Sequence, residues 1–423
     1  MRTLLLLLVL AWSSAAEPYP LRDAVECHAR DGLPNVAAKL KAGQPVRIAY
    51  LGGSITAVAG WRVKTLAWFK QQYPQAAISE INAAIGGTGS DLGVYRVGFD
   101  VLKHKPDLMF VEFAVNDGGS DPLEIHRCME GIVRQTWTAD AATDICFVYT
   151  LTGGMVKELQ GGKFPRAASA MEAVADHYHI PSIHFGVEVV KRVGNHSLVF
   201  KLAKDATPEE KAAIGNQLVF TNDDVHPLDA GHVLYTEVAA RNLPALLAGT
   251  AAAHAVAAPL VVGNYEHAGM VPLDGATMGG GWTRLDPASD PRARDFASRM
   301  PALFRADVAG SQLSFRFRGT AAGIYDLVGP DCGQVIVTVD GGEPRTVPRF
   351  DGYCTYHRIA VLRLASNLPE GEHRIDIRLD AAVPDKGGIL FPQNRADRDK
   401  NPEKYAGAKW YAGALMLIGE LVK

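Results

Sequence analysis

A chain of 423 residues is too long for one ordinary hydrophobic core and suits two or three domains. Hydrophobic residues make up 48% of it and charged residues 21%, the balance of a globular protein. The formal net charge of -3 leaves no basic excess to attract nucleic acid or an anionic membrane surface.

The N-terminus carries Arg2, then an apolar run over residues 4–12, then Ser13-Ser14-Ala15-Ala16. A positive start, a short apolar stretch and small residues before a cut read as a signal peptide over residues 1–16, cleaved after Ala16. The run is too short for a membrane anchor, and no later segment reads as a span. The expected address is therefore secreted or periplasmic. Five cysteines follow, Cys27, Cys128, Cys146, Cys332 and Cys354. An odd count at wide spacing is neither a disulfide scaffold nor a zinc ribbon. Cys146 lies in an apolar run and reads as a core thiol. Export permits a bridge between Cys332 and Cys354, which geometry must decide.

From residue 17 to 250 strand and helix signals alternate, the pattern of an α/β domain. Residues 46–51 form an apolar run that ends in Gly52-Gly53. Residues 61–73 read as a helix with Val63, Leu66 and Phe69 turned to the core. A second strand spans 78–85 and ends in Gly86-Gly87. The third, 107–115, is apolar at nearly every position, as expected of a parallel strand buried on both faces. A fourth spans 145–151 and a short fifth 181–184. Helices fit 122–137, 165–177 and 228–243. The stretch 186–218 breaks this rhythm and reads either as an insertion approaching the site rim or as a surface excursion.

An alanine-rich boundary covers 248–258, and the texture changes beyond it. Segments 313–317, 334–339 and 373–379 alternate, and 357–362 is apolar. Asp340-Gly341-Gly342, Asp351-Gly352 and Pro369-Glu370-Gly371 supply turns between them. Short strands with regular turns indicate an all-β sandwich over 259–423. This part is expected to be a separate folding unit that supplies no essential catalytic side chain. Its aromatic residues Trp282, Tyr325, Tyr353, Tyr356, Trp410 and Tyr411 fit either stacking on sugar rings or ordinary packing.

Four blocks of the first part carry chemistry. Gly52-Gly53-Ser54-Ile55-Thr56 follows the first strand, and open parallel sheets bind ligands beyond their strand ends. Asn82 to Gly89 follows the second strand and offers backbone N–H groups to an anion. Its Gly87, Gly89 and Gly93 miss the dinucleotide fingerprint by one residue and follow the wrong strand. Asn116, at the end of the third strand, can donate a side-chain amide, and Asn116-Asp117-Gly118-Gly119 is also turn chemistry. Asp223-Asp224-Val225-His226 places a carboxylate three residues before a histidine, within reach across a helical turn. Asp224 is the neighbouring alternative. His177, His179 and His184 invite a metal reading, but no carboxylate or cysteine pattern accompanies them.

In that order the blocks resemble the SGNH (GDSL-like) hydrolase superfamily, over roughly residues 49–243. Two positions depart from the usual pattern. The G-D-S-L block reads Gly52-Gly53-Ser54-Ile55, and the first glycine of G-x-N-D is Ala114. The resemblance implies a three-layer α/β/α domain with a mostly parallel five-stranded sheet. It implies Ser54 as nucleophile, His226 as base and Asp223 as the group that orients it. It also implies an oxyanion hole from the N–H groups of Ser54 and Gly87 and the amide of Asn116, with Gly89 as the alternative to Gly87. No cofactor and no metal are implied. The expected activity is ester hydrolysis, with O-acetyl removal from a carbohydrate preferred. An acylated small molecule or polysaccharide is then the expected partner, with no nucleic acid and no membrane span. The alternatives are a lipid or lysophospholipid esterase, and a glycan-binding protein with a vestigial hydrolase domain.

Overall fold

A computed structural model describes residues 19–422, so the 1–16 leader and its cleavage site lie outside the described residues. The first domain runs β1 (Cys27–His28), α1 (Pro34–Lys41), β2 (Val46–Gly52), α2 (Ser54–Ala57), α3 (Trp61–Gln72), β3 (Ile78–Asn82) and α4 (Ser90–Asp100). It continues with β4 (Leu108–Glu112), α5 (Pro122–Ala139), β5 (Asp144–Tyr149), α6 (Val156–Gln160), α7 (Arg166–His177), β6 (Ser182–His184) and α8 (Phe185–Gly194). It closes with β7 (Leu198–Lys201), α9 (Pro208–Ile214), β8 (Leu218–Thr221) and α10 (Asp229–Leu246).

The main sheet has the order β1-β6-β5-β4-β2-β3. Its five strands from β6 to β3 are parallel, and β1 adds a two-residue antiparallel edge too short to show a pattern in sequence. Every residue of β4 and β5 is buried, because helices cover both faces. The helices α4, α5 and α7 pack together in one layer, and α3, α8 and α10 in the other. Local chemistry fixes the helix starts. Asp121 caps α5 by accepting the Leu123 N–H at 2.8 Å, with Pro122 next, and Thr207 and Glu210 form a capping box on α9. In α3 the buried face is Trp61, Arg62, Thr65, Leu66 and Phe69. Leu66 and Phe69 thus point inward, whereas Val63 falls off that face and is exposed.

The 186–218 stretch is largely ordered. It contains most of α8, and β7 and β8 pair in parallel as a small sheet of their own. β8 delivers the chain to Asp223, and Phe200 of β7 lines a cleft with Thr152, Gly153, Gly154, Val156, Asp224 and Val225.

The second domain is all-β and antiparallel. Its strands are β9 (Ala268–Pro272), β10 (Thr277–Gly279), β11 (Trp282–Arg284), β12 (Phe304–Ala306), β13 (Gln312–Val328), β14 (Gln334–Val339), β15 (Arg345–Pro348), β16 (Arg358–Ala365), β17 (Gly371–Leu379) and β18 (Trp410–Val422). Hydrogen bonds join all ten through the long β13 and β18. β13 pairs with β17 along its first half and with β16 along its second. Between the halves the β13–β18 register slips, where Gly319 (φ +152) lies opposite Gly419 (φ +129). A Cβ on Gly319 would sit 2.0 Å from the Ile418 carbonyl oxygen, so the crossing admits only glycine.

Trp410, Tyr411 and Tyr325 are buried in this domain, while Tyr353 and Tyr356 are more than half exposed. Cys332 and Cys354 carry free thiols, as do the other three cysteines, so no bridge joins them.

The two domains share packed surface. Leu92 and Tyr95 of α4 pack with Leu285, Met300, Tyr325 and Met416. Tyr265, Ala268, Ala321 and Ile418 join the core of the first domain. Each large apolar side chain returned to water costs about 1.5–3 kcal/mol. A fragment spanning residues 17–253 is therefore expected to aggregate, or to melt well below the full chain. Size-exclusion chromatography and a thermal melt check this. A monomeric fragment with the melting temperature of the full chain contradicts it.

Candidate active site

β2 ends at Gly52, and Gly53 turns the chain so that Ser54 opens the short helix α2. Both glycines serve close approach. A Cβ on Gly52 would meet the Glu112 carbonyl oxygen at 2.8 Å, and one on Gly53 would meet Asn116 Oδ1 at 2.0 Å. The Asn116 side chain therefore lies directly against the residue that precedes Ser54. Below this turn sits Glu112, fully buried at the end of β4. It accepts hydrogen bonds from Thr56 Oγ1 (2.8 Å) and Thr150 Oγ1 (2.7 Å). Burial raises its pKa, against the bonds from Thr150, Thr56 and the Gly53 N–H. Glu112 ties the Ser54 turn to β4 and to the end of β5.

The loop after β3 runs beside the serine. Ile85 donates its N–H to the Gly52 carbonyl at 2.9 Å, and a Cβ on Gly86 would lie 3.6 Å from Ser54 Cβ. Gly87 comes next at φ +72, with open space where a side chain would be. Gly89 is packed in: a Cβ there would meet Asp117 Oδ1 at 2.1 Å. Gly93 packs likewise against the Phe113 ring, so Gly89 and Gly93 serve local packing. Asp117 is buried and accepts the Ser90 N–H at 3.0 Å, which anchors the start of α4 beside Asn116. Burial pushes its pKa up to about 7, against the hydrogen bonds from Ser90.

Asp223 and His226 lie in a bend between β8 and α10, not in a helical turn. The carboxylate itself builds the bend. Asp223 Oδ1 accepts the N–H groups of Val225 (3.0 Å) and His226 (2.8 Å) and the Thr221 hydroxyl (3.1 Å). Asp223 Oδ2 lies 2.8 Å from His226 Nδ1, and His226 Nε2 lies 2.9 Å from Ser54 Oγ. Slight burial acts to raise the Asp223 pKa, but the His226 N–H, the His226 ring and the Val225 N–H outweigh it and hold the carboxyl well below its usual range. An ionised carboxylate there favours hydrogen on Nδ1 and leaves Nε2 to accept from the serine. Asp224, at φ +72, instead pairs with Lys201 Nζ at 2.6 Å. About half of the Asp223 and His226 side chains is open to solvent, so the site is a surface depression.

His177 Nε2 bonds the Ala258 carbonyl, and buried His184 caps α8 by accepting the Gly186 N–H. Among the described residues, the one convergent set of metal-type ligands is Asp331, Cys332 and His357 in the second domain. There Asp331 already faces His357, Tyr411, Lys409 and Arg292.

The arrangement is that of a serine hydrolase, with a Ser–His–Asp relay at the carboxyl ends of a parallel sheet. Residues 50–234 match the GDSL-like Lipase/Acylhydrolase family, and the first domain is a hydrolase domain of that type, which makes the chain a carboxylic ester hydrolase. Two solved structures of a two-domain esterase (CEX) active on acetylated mannans share its fold at 20% identity. The chain covers 99% of each, and 94% of this chain is covered, with TM-scores of 0.69 for the mannopentaose co-crystal and 0.68 for the other. No curated protein matches the sequence significantly.

Sequence reasoning missed Glu112 and Asp117. Glu112 had a signal, a lone carboxylate inside an apolar strand. Asp117 had none beyond its place in the turn.

Proposed function

We propose that this chain is a secreted esterase that removes O-acetyl groups from an acetylated carbohydrate through a serine acyl-enzyme. The relay from Asp223 Oδ2 through His226 to Ser54 Oγ, at 2.8 and 2.9 Å, carries the proposal. Ser54 Oγ attacks the ester carbonyl while His226 Nε2 takes its proton. The N–H groups of Ser54 and Gly87 and the amide of Asn116 stabilise the oxyanion. His226 then protonates the departing sugar hydroxyl. Water, deprotonated by His226, releases acetate and restores the serine.

The Lys201–Asp224 ion pair, close in sequence to His226, offers a polar alcohol a charged partner. The structural likeness to an esterase active on acetylated mannans supports the same substrate class, and the N-terminal pattern of residues 1–16 supports export. Acetate release from acetylated mannan, xylan and other polysaccharides, set against hydrolysis of long-chain nitrophenyl esters, tests the proposal. A preference for the long-chain esters would favour a lipid substrate instead.

Asn116→Ala is expected to lower turnover on a small acetate ester by about 10²–10³, the effect of losing one oxyanion donor. Steady-state kinetics check this. A change confined to KM would move Asn116 to substrate binding.

A further inference from the structure

An arginine of the second domain reaches the loop that passes beside Ser54. As the chain leaves β3, three successive carbonyl groups are held by guanidinium groups. Arg299 Nη2 donates to the carbonyls of Asn82 (2.7 Å) and Ala84 (3.1 Å). Between them, Arg96 Nη1 of α4 donates to the Ala83 carbonyl at 2.6 Å. On the other side, β2 accepts the N–H groups of Ala83 and Ile85 at 2.9 Å each, through Tyr50 and Gly52. The segment is thus gripped from both sides just before Gly86 and Gly87. Arg96 is fully buried and ion-paired to Asp100. Arg299 is half-buried, in an apolar recess lined by Phe99, Pro272, Met300 and Tyr325.

The grip matters because it ends at Ile85, two residues before Gly87, the oxyanion donor of the proposed reaction. Gly87 has φ +72 and nothing packed over it, so its own residue does not hold its N–H in place. An oxyanion donor acts only if it is aimed before the charge develops. A guanidinium with two carbonyls in reach fixes direction as well as distance, and it carries its charge at any working pH. Misplacement of a reacting group by about 1 Å costs about a hundredfold in rate.

We propose that Arg299 is a positioning residue for the oxyanion loop, so that the second domain completes the active site of the first. This rests on the serine-esterase reading of Ser54. It adds that no side chain of the second domain need touch the substrate for that domain to set the rate.

The test uses the full chain on p-nitrophenyl acetate, with kcat, KM and melting temperature measured for Arg299→Met, Arg299→Lys and Arg363→Ala. Methionine fills the apolar recess without donating to the carbonyls, and lysine keeps a donor. Arg363 pairs with Asp91 across the same interface at a largely exposed position and touches no carbonyl of the loop, so it is the control. Arg299→Met is expected to lower kcat about tenfold to a hundredfold with KM within about twofold. Arg299→Lys should recover part of the loss, and Arg363→Ala should stay within about twofold of the parent. Wild-type kcat in Arg299→Met overturns the proposal. So does a loss that merely tracks the folded fraction, or failure of both Arg299 variants to fold, since each gives Arg299 a structural role only. An inactive parent chain would instead overturn the serine-esterase reading itself.

Discussion

Ser54→Ala is expected to reduce turnover on a soluble acetate ester by about a millionfold, to the trace level left by binding and the oxyanion donors alone. The reason is chemical. Without Oγ no acyl-enzyme forms, and the 2.9 Å contact with His226 Nε2 has no proton to pass. The fold should survive. Ser54 sits at the start of a four-residue helix, half-buried, and the bonds that hold its turn come from Glu112, Thr56 and Thr150. Turnover measured with a melting curve decides the matter. Activity well above trace in a folded variant would remove Ser54 from the reaction.

Asp223→Asn should cost about 10⁴ in turnover, as expected when the group behind a catalytic histidine becomes neutral. The amide would offer a donor or a weaker acceptor to Nδ1, and would no longer hold the ring as the tautomer whose Nε2 is free. It would also weaken the bend, because Asp223 Oδ1 accepts two backbone N–H groups there. Asp224→Asn is the comparison. It breaks only the pair with Lys201, about half of each side chain being exposed, and should change turnover by a few-fold at most. Equal losses in the two variants would show that the site depends on the bend as a whole and not on Asp223.

Much of this site could be read in the sequence because its parts are local. Gly52-Gly53-Ser54 and Asp223-x-x-His226 each fall within five residues, and the apolar runs of β4 and β5 mark the strands that place them. The geometry of the second block was less legible. A spacing of three suits a helical turn, yet Asp223 takes the N–H groups of Val225 and His226 for itself and folds the chain into a bend. The surroundings of Gly87 and Gly89 needed three dimensions. Only the structure shows open space at one and the Asp117 carboxylate against the other.

Contacts between distant segments were illegible for the same reason. The bonds from Arg299 to Asn82 and Ala84 span more than two hundred residues, and no pattern near Arg299 announces them. An oxidising address permits a Cys332–Cys354 bridge but does not say where Cys354 Sγ goes, which is to the Asp351 N–H. The aromatic residues of the second domain divide by burial alone. Trp410, Tyr411 and Tyr325 are core, and Tyr353 and Tyr356 face solvent on a loop before β16.

The most direct test of the account is the site of covalent trapping. The full chain is treated with a fluorophosphonate and digested, and the modified peptide is sequenced by mass spectrometry. One adduct on Ser54 is the expected result, absent in Ser54→Ala and greatly slowed in Asp223→Asn. No adduct in a folded chain, or an adduct at another residue, would contradict it.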